Sequence, residues 1–340
     1  MRIFVYEHLC AGGATGTAAA SLAVEGWAML TALLVDFGRL PGVVIDTMLR
    51  LSGAPPAAGL TLAAGVTYDF LMVEGTGEVP FRRLAGAADW TLIVAPEFDD
   101  ILANRLHWVE EAGGRSLNCT PEAAMRTGDK LRLADQLRER GLPTPATACW
   151  PMASSFPAVC KPRHGAGSQA TFLVRDEGEL RQAVDEAATE RWSDDLILQS
   201  FIPGEAVSVS FLIGPGRRLA MPAAAQHLST DGRFHYQGGS LPLDPQRNAR
   251  ATRLAARAVD AVEGLAGYVG VDVVIGTAAD GDAVIEINPR LTTSYVGLRA
   301  LARFNLAEAL LAVMAGEEPP RWEWRTDLVR FTSDGRLIGS

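Results

Sequence analysis

The sequence predicts an α/β fold: a small parallel sheet with helices over the first third, then further strands and helices that include a β-hairpin. Three observations carry this. Short β-branched runs such as RIFVY and TLIVA alternate with helical stretches up to Ala112, the pattern of a parallel sheet covered by helices. A polar, Gly-containing connector, Gly113–Thr120, then precedes a Thr N-cap with Pro121 at the first helical position. Near the end, VGVDVVI and AVIEIN flank the turn ADGD.

In order, Arg2–Tyr6 reads as the first strand, followed by a Gly-rich turn over Ala11–Gly16 and a helix to about Phe37. Strands follow at Val43–Asp46, Asp69–Val73 and Thr91–Ala95, then a helix over Phe98–Ala112. The domain boundary is expected near residue 115. A helix starts at Thr120, and a second runs from about Gly128 to Arg140, stopped by Gly141 with Pro143 and Pro145 beyond. Strands are expected at Ala158–Lys161, Thr171–Val174, Leu196–Phe201 and Val207–Ile213, with a helix over Glu177–Glu190 between the second and third. Arg250–Leu265 reads as a helix, Val269–Ile275 with Ala283–Asn288 as a hairpin, and Ala300–Ala315 as a last helix. The segment after Pro319-Pro320 has no clear assignment.

At 340 residues the chain suits two domains or one composite one, and 48% apolar against 21% charged residues excludes a disordered chain. A balance of 31 basic to 40 acidic residues, net −9, argues against nucleic-acid binding, where phosphate neutralisation dominates. Cys10, Cys119, Cys149 and Cys160 are scattered without a CxxC, which supports neither a disulfide framework nor a zinc site. Glu25 and Asp36 interrupt the apolar stretch Ala18–Leu40, so it reads as a buried helix. With no signal-peptide pattern at the N-terminus, a soluble cytoplasmic protein is expected.

Only two lysines occur, Lys130 and Lys161; every other basic residue is arginine. Such rarity suits two places that need a compact ammonium on a flexible stem. Lys161 ends a strand and is followed by Arg163-His164-Gly165-Ala166-Gly167-Ser168, a turn able to cradle a polyphosphate, although no P-loop pattern is present. His164 is a candidate phosphate contact beside that loop. On the strand Ala283–Asn288, alternation places Glu286 and Asn288 on one face and Ile285 and Ile287 on the other. The hairpin brings Asp272 alongside, giving oxygen donors suited to Mg²⁺, with Arg290 at the strand exit to grip an anion. Gly12-Gly13-x-x-Gly16 departs from the dinucleotide fingerprint and fits a tight turn better. Glu7 and His8, at the carboxyl end of the first strand, are candidate substrate contacts.

Together these residues resemble the ATP-grasp superfamily of carboxylate–amine ligases, over roughly Thr120–Ala315. The resemblance implies two α+β lobes after the small α/β domain: residues 1–115 as that domain, 116–198 as the small lobe with a glycine-rich lid, 199–318 as the large lobe with the metal site, and 319–340 as a C-terminal segment. It also implies ATP with Mg²⁺, or Mn²⁺ in its place. Lys130 and Lys161 would be the nucleotide lysines, and Gly165, Gly167 and Ser168 the lid. Gln199, Ser200, Phe201 and Ile202 would be the adenine hinge, with Gln where the family often has Glu; Glu205 would be the ribose acceptor. Asp272, Glu286 and Asn288 would be the metal ligands, and Arg290 the catalytic cation at the transferring phosphoryl group.

Within the superfamily, Tyr6-Glu7-His8, the Gly12-Gly13 pair and the hydroxyl-rich run after Arg290 are similar to the tyramine–L-glutamate ligases of methanofuran-type cofactor biosynthesis. On that resemblance the γ-carboxylate of glutamate is joined to tyramine through an acylphosphate. Glu7, Thr292, Thr293, Ser294 and Arg299 are then candidate substrate residues, with His227 and Gly238-Gly239-Ser240 on the acceptor side. The hydroxyl run equally suits a helix cap near Val296. A ligase for another amino acid and amine, or a non-catalytic ATP-binding module, stays open. Expected partners are small molecules, not nucleic acid or membrane, with a homodimer left open.

Overall fold

In the computed structural model, residues 1–13, 17–50, 67–73, 77–151, 155–190, 192 and 195–339 are described. The first layer is built from β1 (Arg2–Glu7), α1 (Thr17–Gly38), β2 (Val44–Arg50), β3 (Thr67–Val73), α2 (Glu78–Ala87), β4 (Trp90–Val94) and α3 (Ile101–Glu111). Its four strands lie in the order β3-β2-β1-β4, all parallel, as the alternation of runs predicts. β1 is buried along almost its whole length, so its carboxyl end delivers Glu7 to the edge of the layer in a fixed place. Helix α2 has no counterpart in the sequence reading: EVPFRRLAGA holds a proline and a glycine, which weaken its helical signal.

Two capped helices lead out of this layer. In α4 (Pro121–Gly128) the Thr120 side chain accepts from the Ala123 N–H at 3.2 Å; in α5 (Lys130–Glu139) Asp129 accepts from the Arg132 N–H at 3.1 Å. The small lobe follows: β5 (Thr147–Cys149), β6 (Ala158–Pro162), β7 (Phe172–Val174), α6 (Glu177–Thr189) and β8 (Leu196–Ser200). Its strands form an antiparallel sheet, β5-β8-β6-β7, over a core of its own that includes Cys160, Leu180 and Leu198.

The large lobe comprises β9 (Glu205–Gly214), β10 (Arg217–Ala220), β11 (Ala224–Leu228), β12 (Tyr236–Leu241), α7 (Pro245–Asp260), β13 (Gly267–Ile275), β14 (Ala283–Asn288), α8 (Ser294–Leu301), α9 (Leu306–Ala315), β15 (Val329–Thr332) and β16 (Leu337–Ile338). Its sheet runs β14-β13-β9-β11-β12-β15-β16, with β10 paired to β9. The core is continuous with the first layer: Phe4 and Tyr6 of β1 share one apolar cluster with Val207, Val209 and Val271.

Several expectations need correction. The helix expected over Arg250–Leu265 begins and ends about a turn earlier, because Asp244 caps it and Pro245 starts it. The expected last helix is two helices, broken at Ala302–Asn305, where the Asn305 side chain starts the second by accepting from the Ala307 N–H at 2.9 Å. The unassigned tail carries β15 and β16, which extend the large sheet. Gly12 and Gly13 fit a crowded turn: a Cβ on Gly13 would lie 2.1 Å from the His8 ring. Ala14–Gly16, the rest of that motif, lies outside the described residues.

Candidate functional site

A cleft of about 650 Å³ opens where the three sheets meet, and both lysines of the chain line it. One fastening brings them together. Arg163, just beyond β6, grips the N-cap Asp129 of α5 at 2.8 and 2.6 Å, and the Lys130 N–H donates to the Arg163 carbonyl at 3.1 Å. The end of β6 and the start of α5 are thus held side by side. Lys161 is 7% exposed, and burial pushes its ammonium down to about 8, against the charges of Glu286 and Asp272. Lys130 donates to the Gly165 carbonyl, and its Nζ lies 3.7 Å from Glu286 Oε2.

The facing wall is the antiparallel β13–β14 hairpin, where Asp272 is registered directly opposite Glu286. Asn288 Nδ2 donates to Asp272 Oδ2 at 3.0 Å, and Gln226 Nε2 donates to Oδ1 at 3.1 Å. Burial, then the neighbouring Glu286, pushes the Asp272 carboxyl up to about 7. Burial also acts to raise Glu286, but Lys130 and Lys161 together hold it below its ordinary value. Two carboxylates and an amide oxygen form an oxygen-rich set of few charges, and that fits Mg²⁺. The hairpin departs from simple alternation. A bulge after Asp272 pairs Val273 with Val284, leaving Ile285 as the extra residue, and Ile285 lines the cleft rather than facing the other layer.

At the rim, Gln199, Ser200, Phe201 and Ile202 line the cleft where β8 leaves the small lobe. Thr147 gives its hydroxyl proton to the Pro145 carbonyl at 3.0 Å, so it accepts from Gln199 Nε2 at 3.1 Å, which orients that amide. Phe201 stacks on Phe234 with ring centroids 6.3 Å apart. Glu205 also lines the cleft and is ion-paired with Arg247. In the loop Gly165–Ser168, Gly167 has φ +64° and its missing Cβ leaves room for Leu22, which a Cβ would approach to 2.3 Å. Ser168 donates to the Phe234 carbonyl at 2.8 Å, tying the loop to the large lobe.

The end of the cleft away from the lysines is formed by the first layer and the segment after β14. Glu7 is 2% exposed and accepts from the Cys10 N–H at 2.6 Å; burial raises its carboxyl. Thr293 donates to Glu25 Oε2 at 2.8 Å, and Thr292, Ser294 and Tyr236 line the cleft beside them. Arg290 lines it too, but its guanidinium is fastened to Glu97: Nε lies 2.9 Å from Oε1, and Nη2 donates to Oε2 at 3.2 Å.

Some candidates lie elsewhere. Arg299 does not line the cleft; it forks onto the buried Asp36 at 2.9 and 2.6 Å, together with the Tyr295 hydroxyl at 2.8 Å. His164 pairs with Asp195 at 2.7 Å and His227 with Ser240 at 3.1 Å, and neither ring lines the cleft. Gly238 and Gly239 pack against β15, where a Cβ on Gly238 would lie 2.0 Å from the Phe331 carbonyl. His8 is turned into the first layer, with Nδ1 3.1 Å from the Tyr6 hydroxyl. The hydroxyl run starts α8, yet Thr293 sends its hydroxyl to Glu25 and makes no side-chain cap. Glu25 and Tyr236 escaped the sequence reading: one stood as an interruption in an apolar stretch, the other on a strand that reads YQGGSL.

Comparison with known proteins identifies the family. The profile described as an ATP-grasp domain matches residues 127–294, and a pre-ATP-grasp domain profile matches residues 70–124. A tyramine–L-glutamate ligase from Methanocaldococcus jannaschii is 31% identical over 233 residues, 68% of this chain and 64% of the relative, so the match spans just under two thirds of that protein. The Methanocaldococcus fervens protein of the same name is 30% identical over 68% of this chain and 67% of its own length. Among solved structures, an ATP-grasp superfamily protein from Archaeoglobus fulgidus superposes with a TM-score of 0.71 at 26% identity, covering 97% of this chain and 92% of that one.

Proposed function

The chain belongs to the ATP-grasp family, and from that premise we propose that it is an ATP-dependent carboxylate–amine ligase joining the γ-carboxylate of L-glutamate to tyramine. The carrying observation is the cleft itself, with Lys130 and Lys161 on one wall and Asp272, Glu286 and Asn288 on the other. The substrate pair rests on the names of the Methanocaldococcus relatives. The setting in methanofuran-type cofactor biosynthesis and a cytoplasmic location belong to this proposal as well. Among the described residues, no helix is long and apolar enough to cross a membrane.

In this reading the triphosphate lies between the lysines and the hairpin, with its base at the rim formed by Phe201, Ile202 and Gln199 and its ribose near Glu205. Lys161, half-neutral near pH 8 while the cleft is empty, becomes fully charged beside phosphate oxygens. Asp272, Glu286 and Asn288 would hold Mg²⁺, which when bound offsets the charge that develops on the phosphates. The substrate carboxylate attacks the terminal phosphoryl group and ADP leaves. The acceptor, as its neutral amine, then attacks the acylphosphate carbonyl, the C–O bond breaks with its electrons leaving on inorganic phosphate, and the nitrogen gives up a proton to that phosphate as the amide forms. Arg290, held by Glu97, presents a fixed positive charge near the transferring group without swinging. The Gly165–Ser168 loop excludes water that would hydrolyse the acylphosphate.

The test is ADP release with ATP, magnesium, glutamate and tyramine, with mass spectrometry of the product. γ-Glutamyltyramine is the expected product. ADP release only with other acid–amine pairs would overturn the substrate assignment.

A further inference from the structure

We propose that Glu25 receives the ammonium group of the acceptor and that the acceptor is an amine without a carboxylate, its apolar body lying on Leu22 and Met29. This deepens the ligase reading above and rests on it for the existence of an acceptor.

Three residues of α1, Leu22, Glu25 and Met29, line the cleft. Their spacing puts them on one face of the helix, a single carboxylate between two apolar side chains. Only one oxygen of Glu25 is used: Oε2 takes the Thr293 hydroxyl, and no described residue donates to Oε1. Burial raises this carboxyl against the Thr293 hydrogen bond and the charge of Arg290. A half-committed, desolvated carboxylate in a cavity gains from a cationic hydrogen-bond donor.

Charge balance selects the class of ligand. At the nucleotide end, the carboxylates of Asp272 and Glu286 face the ammonium groups of Lys130 and Lys161. At the acceptor end, Arg290 is forked onto Glu97; its charge reaches Glu7 and Glu25 only at longer range, and no cation among the described residues lies within ion-pair distance of either carboxyl. Arg299, the one arginine among the candidate substrate residues, is consumed by Asp36. An acceptor bearing a carboxylate beside its amine would meet two carboxylates, and the one cation near them, Arg290, is already forked onto Glu97, an arrangement that disfavours it by repulsion. An arylalkylamine meets a carboxylate and apolar side chains. Tyr236, which lines the cleft with its hydroxyl bonded to Ser294, adds an aromatic residue there.

The test uses Glu25→Gln, which keeps an acceptor oxygen for Thr293 and removes only the charge. Tyramine binding is measured by calorimetry with MgADP present, and the KM values for tyramine, glutamate and ATP by ADP release. Hydroxylamine, neutral at pH 7, serves as a small alternative acceptor. The expected result is a tyramine Kd and KM raised about tenfold or more. The KM values for glutamate and ATP and the rate of glutamyl hydroxamate formation should stay within about twofold. L-Tyrosine, tyramine with a carboxylate added, should be a poor acceptor for the unaltered protein. An unchanged tyramine KM, a matching loss of hydroxamate formation, or efficient use of L-tyrosine would each overturn the assignment. A different failure marks the ligase reading: no hydroxamate with glutamate in the unaltered protein would sink the substrate pair, while tyramine binding and its loss in Glu25→Gln would still uphold the amine site.

Discussion

Replacing Glu286 by Gln tests the hairpin most directly, because it removes one charge and almost no volume. Glu286 Oε2 lies 3.7 Å from Lys130 Nζ, and its side chain is 27% exposed. The charge removed also belongs to the set that would hold the cation; a unit pair about 4 Å apart is worth about 4 kcal/mol at an effective dielectric of about 20, and each 1.4 kcal/mol is tenfold, so losing that interaction with bound MgATP is expected to cost roughly a thousandfold in kcat/KM for ATP. The empty protein should change far less, since Glu286 also raises Asp272, and the variant relieves that repulsion as it loses the lysine attraction. Thermal unfolding separates the two effects. Ligand at about a hundred times its Kd stabilises by about 2.7 kcal/mol. The unaltered protein should therefore gain several degrees in Tm with MgATP, and Glu286→Gln should gain almost none while its ligand-free Tm moves little. A variant with near-normal kcat/KM and the same ligand-induced shift would remove the hairpin from the triphosphate site.

Three further expectations follow from single side chains. Lys161 titrates near 8 in the fold against an ordinary 10.5, so between those values the unfolded chain binds more protons and stability rises with pH; that slope, worth up to about 3 kcal/mol, should vanish in Lys161→Met as read by urea unfolding from pH 7.5 to 10. Arg299→Ala leaves the buried Asp36 with only the Tyr295 hydroxyl and the exposed Arg39 and should cost about 3 kcal/mol in urea unfolding, with the KM values for ATP and glutamate unmoved at low temperature; a selective rise in a substrate KM would restore Arg299 to the site. A Cβ on Gly26 would lie 2.5 Å from Glu7 Oε1, while alanine is worth about 1 kcal/mol over glycine in a helix. Displacing the buried Glu7 from the Cys10 N–H outweighs that gain, so Gly26→Ala should lose activity with a lowered Tm, and a fully active variant would exclude Glu7 from the site.

The sequence exposed those parts of the fold whose chemistry is local. The cap at Thr120 and the stop at Gly141 marked helix ends, and the runs flanking the ADGD turn marked β13 and β14. What it hid depends on neighbours distant in the chain. β11 reads AAQHL and β12 reads YQGGSL, without a β-branched run; their strand state comes from sheet partners, including β15 about a hundred residues away. The same limit governs the site. Arg290 and Arg299 look alike nine residues apart, and only the fold shows Glu97 beside one at the cleft and Asp36 beside the other in the core. Ile285 turned to the cleft because a bulge resets the alternation, which no spacing rule anticipates.

The lysine scarcity acquires a physical reason once the cleft is seen. Of the 31 basic residues two are lysine, and the other 29 are arginine. Arg163, Arg250, Arg290 and Arg299 each fork onto a carboxylate, work that suits a planar group with five donors. At Lys161 no carboxylate among the described residues is within ion-pair distance, and burial has already weakened the ammonium. A guanidinium there would keep its full charge and leave several donors without acceptors whenever the cleft was empty, a cost of the kind that makes unpaired buried groups rare. An ammonium meets the empty state by shedding part of its charge and meets a triphosphate by regaining it. Lys161→Arg is therefore expected to weaken ATP binding and the fold together, although the formal charge is conserved.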